Sequence, residues 1–211
     1  MKTLFLIAAL VATVPAAARA QNLGTLEGRW PSGDIDGIHV HFPVGDLTFE
    51  ATDDSEIRAQ LSVRCRHGGR SCAERSRQLK LVTQVTGRTR QINLEGMPKF
   101  GSHGLEATLV IAVPKSLAVD AEMGVGDCRV DGLARDVRVE LGVGDVSVLV
   151  KESDVKSVRL TVWIGDATLH HGGNAQAVSG LLGRKVHWTD GTGSSNVSVE
   201  LGVGDIDVRL N

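Results

Sequence analysis

Five aspartates recur in one setting: Asp46, Asp127, Asp145, Asp166 and Asp205 follow Gly45, Gly126, Gly144, Gly165 and Gly204, each at the end of an alternating apolar run. Repeated carboxylates invite calcium, which takes roughly six to eight oxygen ligands. One aspartate per repeat, flanked by glycine and apolar residues, supplies too few. The pattern points first to a turn, in which glycine permits unusual backbone angles and aspartate bonds nearby amides. A calcium-stabilised repeat is the alternative reading.

Other candidates for chemistry are sparse. Cys65 and Cys72 bracket the glycine-rich reversal Arg66 to Ser71, which predicts a disulfide in an exported chain; the other reading, a metal pair with His67, is an incomplete ligand set. His39 and His41 lie two apart on the outward side of a strand, and His170 and His171 stand beside Gly172 and Gly173, with no third ligand visible for either pair. Outward Arg129, Arg138, Glu140, Arg159 and Glu200 are compatible with a carbohydrate-active enzyme and equally with an ordinary charged face. No nucleophile elbow, phosphate loop or zinc-helix motif is present, so no catalytic residue, metal or cofactor is expected. Trp163 points away from the core by parity. It is either a contact for a glycan or protein, or is covered by a loop from Asn174 to Gly183.

The elements that must position these residues are strands. Val137, Val139, Leu141 and Val143 alternate, then Val146, Val148 and Val150 resume after a step of three. Such a step reverses the facing of a straight strand, so Gly144-Asp145 must be a corner that returns the apolar set to the same interior. The other four copies slip in the same way. Asp127 to Asp145 is 18 residues, Asp145 to Asp166 is 21, and Asp166 to Asp205 is 39, which leaves room for a degenerate copy around Lys185 to Gly191. A period of roughly 20 residues predicts stacked coils, a β-solenoid or β-roll. In it Leu160, Val162 and Ile164 face the core, and Cys128 takes the inward slot of Val146, Ala167 and Ile206.

Bulk properties narrow the class. Met1-Lys2, the apolar run Leu4 to Val14 and Ala18-Arg19-Ala20 predict a signal peptide over 1-20, hence a periplasmic or secreted location. That run is too short to span a membrane, and no later stretch is long enough. Without Lys2 and Arg19, 21 of the 23 basic residues remain against 25 acidic ones, which gives no argument for nucleic acid as partner. Residues 21-211 read as one all-β domain: a less regular β or cap region over 21-104, with Leu23 to Pro31 as an irregular lead-in, and regular coils over 105-211. Helix-period runs are not apparent. The final copy, Val197 to Leu210, reads as an end coil, covered by the N-terminal half or available for self-association through the C-terminal strand.

The run Ala107-Thr108-Leu109-Val110-Ile111-Ala112-Val113-Pro114-Lys115, followed by Val119 to Val130 and later Gly-x-Gly-Asp copies, resembles the bacterial putative-adhesin family of β-strand-repeat proteins. The resemblance implies an extracytoplasmic β-solenoid or β-roll and no assigned activity; a non-enzymatic scaffold that binds an unknown protein or glycan ligand is the expectation, with a carbohydrate-active solenoid enzyme as a further alternative. The chain departs from that pattern at the Cys65 to Cys72 loop and at Trp163-Ile164-Gly165.

Overall fold

The computed structural model describes residues 21–66, 70–97 and 104–211. The predicted leader, His67, and the loop residues Pro98 and Gly101 lie outside the described residues. In chain order the strands are β1 Gln21–Pro31, β2 Gly37–Val44, β3 Asp46–Thr52, β4 Glu56–Cys65, β5 Lys80–Thr86, β6 Thr89–Glu95, β7 Leu105–Pro114 and β8 Ala118–Val125. They continue as β9 Cys128–Asp131, β10 Val137–Val143, β11 Val146–Val150, β12 Val155–His171, β13 Asn174–Trp188, β14 Ser195–Val203 and β15 Ile206–Leu210. Among the described residues the fold is all-β apart from one 3-10 turn, Glu152–Asp154, and one short helix, α1 Arg70–Ser76. That helix occupies part of the reversal expected to be loop. Among the described residues no helix is long and apolar enough to cross a membrane.

Each Gly-Asp copy is two strands meeting at a corner, and the copies lie on one another in parallel and in register. One row runs β6, β2, β8, β10, β14 and the first half of β12; the other runs β7, β3, β9, β11, β15 and the second half of β12. Val139 lies beside Ala121 and Val199, and Val146 beside Cys128 and Ile206. In-register stacking puts like on like, so small β-branched side chains fill most of the interior, with Phe42, Phe49 and Trp188 as its buried aromatics. Val139, Val148, Leu160 and Val208 are buried in one continuous apolar cluster. Each such side chain contributes roughly 1.5–3 kcal/mol relative to exposure.

Strands at the ends of the rows run antiparallel. β4 pairs with β7 and then β1 with β4, β5 pairs with β6, and β13 pairs with the whole of β12. The rows approach each other beyond the first copy, where Arg90 of β6 lies over the Trp30 ring, 5.8 Å from its centroid, so the sheet is nearly closed. Leu23 to Pro31 is therefore strand rather than irregular lead-in: its ladder with β4 supplies the order that its own residue pattern lacks.

The last copy is not at an end. β14 and β15 insert between β10/β11 and β12, so β15 has β11 on one side and β12 on the other. Both expected fates of the last copy, cover by the N-terminal half and self-association through the C-terminal strand, are thereby overturned, because the edges of β15 are already paired with β11 and β12. The cause is the reversal at Gly172 and Gly173, with φ of 52° and 76°. It folds β13 back along the outer side of β12, so the next copy has only the inner side left to join. The long Asp166 to Asp205 interval thus holds an antiparallel return, not a degenerate parallel copy at Lys185 to Gly191, and the Asn174 to Gly183 segment is strand, not loop.

Cys128 is buried and unbridged, whereas Cys65 and Cys72 are joined with Cα atoms 6.1 Å apart. Burial pushes the Cys128 thiol up from an ordinary 9.0 to about 12. Raising the pKa of an acid favours its neutral form in the folded state, so this group's contribution is full below about 9 and fades as pH climbs towards 12. Iodoacetamide at pH 8 is expected to leave the native protein unlabelled and to add one label in denaturant, read by mass spectrometry. Native labelling at the rate of a free thiol would place Cys128 outside the core.

Candidate functional site

The corner column runs in stacking order Asp46, Asp127, Asp145, Asp205, Asp166. The glycines before these aspartates have φ between 130° and 138°, a region closed to residues with a Cβ. Three of the aspartates bond the next level rather than their own turn. The Asp127 carboxylate accepts the Asp145 amide at 3.2 Å, Asp145 accepts the Asp205 amide at 3.0 Å, and Asp205 accepts the Asp166 amide at 3.0 Å. One carboxylate oxygen of each is thus occupied by an amide that the corner withholds from the strand ladder. Among the described residues no cluster of three or more His, Cys, Asp or Glu side chains is arranged to hold a metal ion.

Packing at the corner also explains the first glycine of Gly-x-Gly-Asp. A Cβ on Gly124 would sit 2.5 Å from the Pro43 carbonyl oxygen, on Gly142 2.6 Å from that of Gly124, and on Gly202 2.4 Å from that of Gly142. Pro43, Gly124, Gly142, Gly202 and Trp163 hold corresponding places in the five levels, so the glycines floor a trough between a proline and a tryptophan. Glu122, Glu140 and Glu200 stand in register along one side of it. The depression holds about 300 Å3 and is lined by these glutamates, Gly142, Gly202 and Trp163.

The next residues along the same strands, Val125, Val143, Val203 and Ile164, form a separate row in register. Val125, Val143 and Val203 are 48%, 46% and 41% exposed, and Ile164 is 46% exposed. Parity assigned Val143 and Ile164 to the core; instead the chain is already turning into the positive-φ glycine, which carries these side chains outside. The core step is Leu141 to Val146. Trp163, at the end of the glycine row, is 55% exposed, with its ring beside Gly183, where a Cβ would lie 3.7 Å away. The expected alternative of Trp163 buried under a loop is corrected by this exposure. The signal for the trough was the first glycine of Gly-x-Gly-Asp, present in three of the five copies, which no strand needs for its own sake.

The histidines do not converge. His39 contacts Asp120 at 3.1 Å and His41 contacts Glu122 at 3.6 Å, each reaching the neighbouring strand. His170 faces Asp207 at 3.6 Å, whereas His171 packs on Trp188 with ring centroids 5.2 Å apart. Arg138 bonds Glu140, which holds its guanidinium above the ordinary value, and lies 3.8 Å from Asp120. Arg138, Glu140, Arg159 and Glu200 share one row, but Arg129 belongs to the other, where it pairs with Asp131 at 3.5 Å.

No protein-family model matches the sequence, and no curated protein is similar to it in sequence. Among the solved structures that match are two named as adhesion proteins. A putative cell adhesion protein from Clostridium sporogenes superposes with a TM-score of 0.57 at 13% identity, over 90% of this chain and 100% of that one. A putative adhesin from Bacteroides fragilis covers 88% of this chain and 97% of its own at 10% identity, with a TM-score of 0.27. The first shows a shared fold; the second carries no argument.

Proposed function

We propose that this chain is an exported, non-enzymatic β-solenoid scaffold that works as an adhesin-like binding protein, holding a glycan or protein ligand in the trough ending at Trp163. The observation that carries this reading is the exposure of Trp163 at the end of the glycine row, next to the exposed apolar row of Val125, Val143, Val203 and Ile164. Contiguous apolar exposure beside polar groups marks interaction surfaces, and a half-exposed tryptophan offers a flat apolar face with a hydrogen-bonding edge. The predicted leader and the Cys65–Cys72 bridge fit a periplasmic or secreted location. A hydrolytic role is disfavoured by placement: Glu140 and Glu200 stand on the same side of the trough, whereas glycosidic cleavage needs carboxylates flanking the bond.

The exported protein and its Trp163→Ala variant, immobilised at equal density, test the reading on envelope extract and on glycans released from it. Truncating a central aromatic contact costs about 2 kcal/mol, so the variant is expected to retain roughly thirtyfold less of the ligand. Equal retention by both proteins, or retention by neither, would remove the trough as the binding surface.

A further inference from the structure

We infer that the protein self-associates through β13, pairing edge to edge with β13 of a second copy. Among the described residues β13 has one strand neighbour, β12, so its other side presents unpaired amides and carbonyls. The other one-partner strands, β1 and β5, lie at the opposite end of the rows, where Arg90 meets Trp30.

The two halves of this edge differ. From Leu181 to Trp188 it carries Arg184, Lys185 and His187, and its register with β12 shifts between Val162 and Ile164, beside Gly183 at φ 61°. Charges and a bulge are the usual protection of a free edge. From Asn174 to Ser179 the sequence is Asn-Ala-Gln-Ala-Val-Ser, without charge or proline, and its register with β12 is unbroken from Asp166↔Ser179 to His171↔Asn174. One half is guarded and the other is bare.

The bare half matches itself. Residues directly opposite in an antiparallel pair must share a face, so a two-fold axis can pass through a residue. Ala175-Gln176-Ala177 is palindromic. An axis through Gln176 puts Ala175 opposite Ala177 of the second copy, both on the outward face set by His170 and Thr168. It also puts Gln176 opposite Gln176, whose amides can bond each other, and Asn174 opposite Val178. No like charges meet and no large side chains collide, and the sheet continues across the axis.

Sedimentation of the full exported protein over a hundredfold concentration range tests this. The wild type is expected to shift from monomer to dimer. Ala177→Lys and Ala177→Glu each place like charges across the axis and are expected to weaken the dimer about tenfold or more. An equimolar mixture of the two variants should restore association as a heterodimer, which misfolded variants could not do; circular dichroism checks the fold of each. A wild type that stays monomeric throughout, a variant that dimerises like the wild type, or a mixture that fails to associate would each overturn the assignment. The Trp163 trough is unaffected by any of these outcomes, because ligand retention is measured separately.

Discussion

Replacing Gly144 with alanine is expected to cost about 4 kcal/mol or more and to lower the melting temperature by about 10 °C or more. Two effects add. At φ 138° the residue occupies a region nearly reserved for glycine, and a Cβ there would sit 1.9 Å from the Gly126 carbonyl oxygen. Relief cannot come from the other side, since a Cβ on Gly204 would already sit 1.8 Å from the Gly144 oxygen. Two levels must therefore part, which also stretches the amide bonds to Asp127 and Asp145. Gly24 separates the terms: its φ is 135°, yet nothing lies within 4 Å of its would-be Cβ. Gly24→Ala is expected to cost only the backbone strain, roughly 1–3 kcal/mol. Equal losses in the two variants, by thermal denaturation followed with circular dichroism, would show that close stacking of corners does not govern stability.

The parts legible in the sequence were those whose pattern is local. Val137, Val139 and Leu141 announce a strand with one buried face, and the shared slip at Gly144 and Gly204 announces equivalent corners. Alignment of Cys128 with Val146 followed from the same spacing. The illegible parts depend on partners far along the chain. Gln21 to Pro31 has no apolar alternation, and only its ladder with β4 orders it. Asn174 to Ser179 reads as loop because its residues are small and polar, as suits an edge with no second neighbour. Helix α1 is a single short piece next to the disulfide, too brief to show a period. At the site, Trp163 was visible by parity. The exposed apolar row was not, because the outward exposure of Val143 is set by where the turn begins, a matter of backbone angle that alternation does not record.

Stacking order was the least legible feature, and it carries the second large expectation. Sequence order would put β15 at an edge, where proline is tolerated; the structure puts it between β11 and β12. The Arg209 side chain is exposed, and its partner is Asp207 two residues away on the same strand, at 2.7 Å. Arg209→Ala is therefore expected to change stability by no more than about 0.5 kcal/mol, since surface pairs of this kind contribute little. Arg209→Pro removes a backbone donor and adds a ring inside a central strand, for about 3 kcal/mol or more, with a fall in melting temperature of about 6 °C or more. Because β15 lies between the copies, the damage should spread: hydrogen exchange is expected to quicken in both β11 and β12, not only in the last residues. If Arg209→Pro melted with Arg209→Ala and exchange quickened only beyond Ile206, β15 would be an edge strand, and β13 could no longer be the strand that closes this end of the rows.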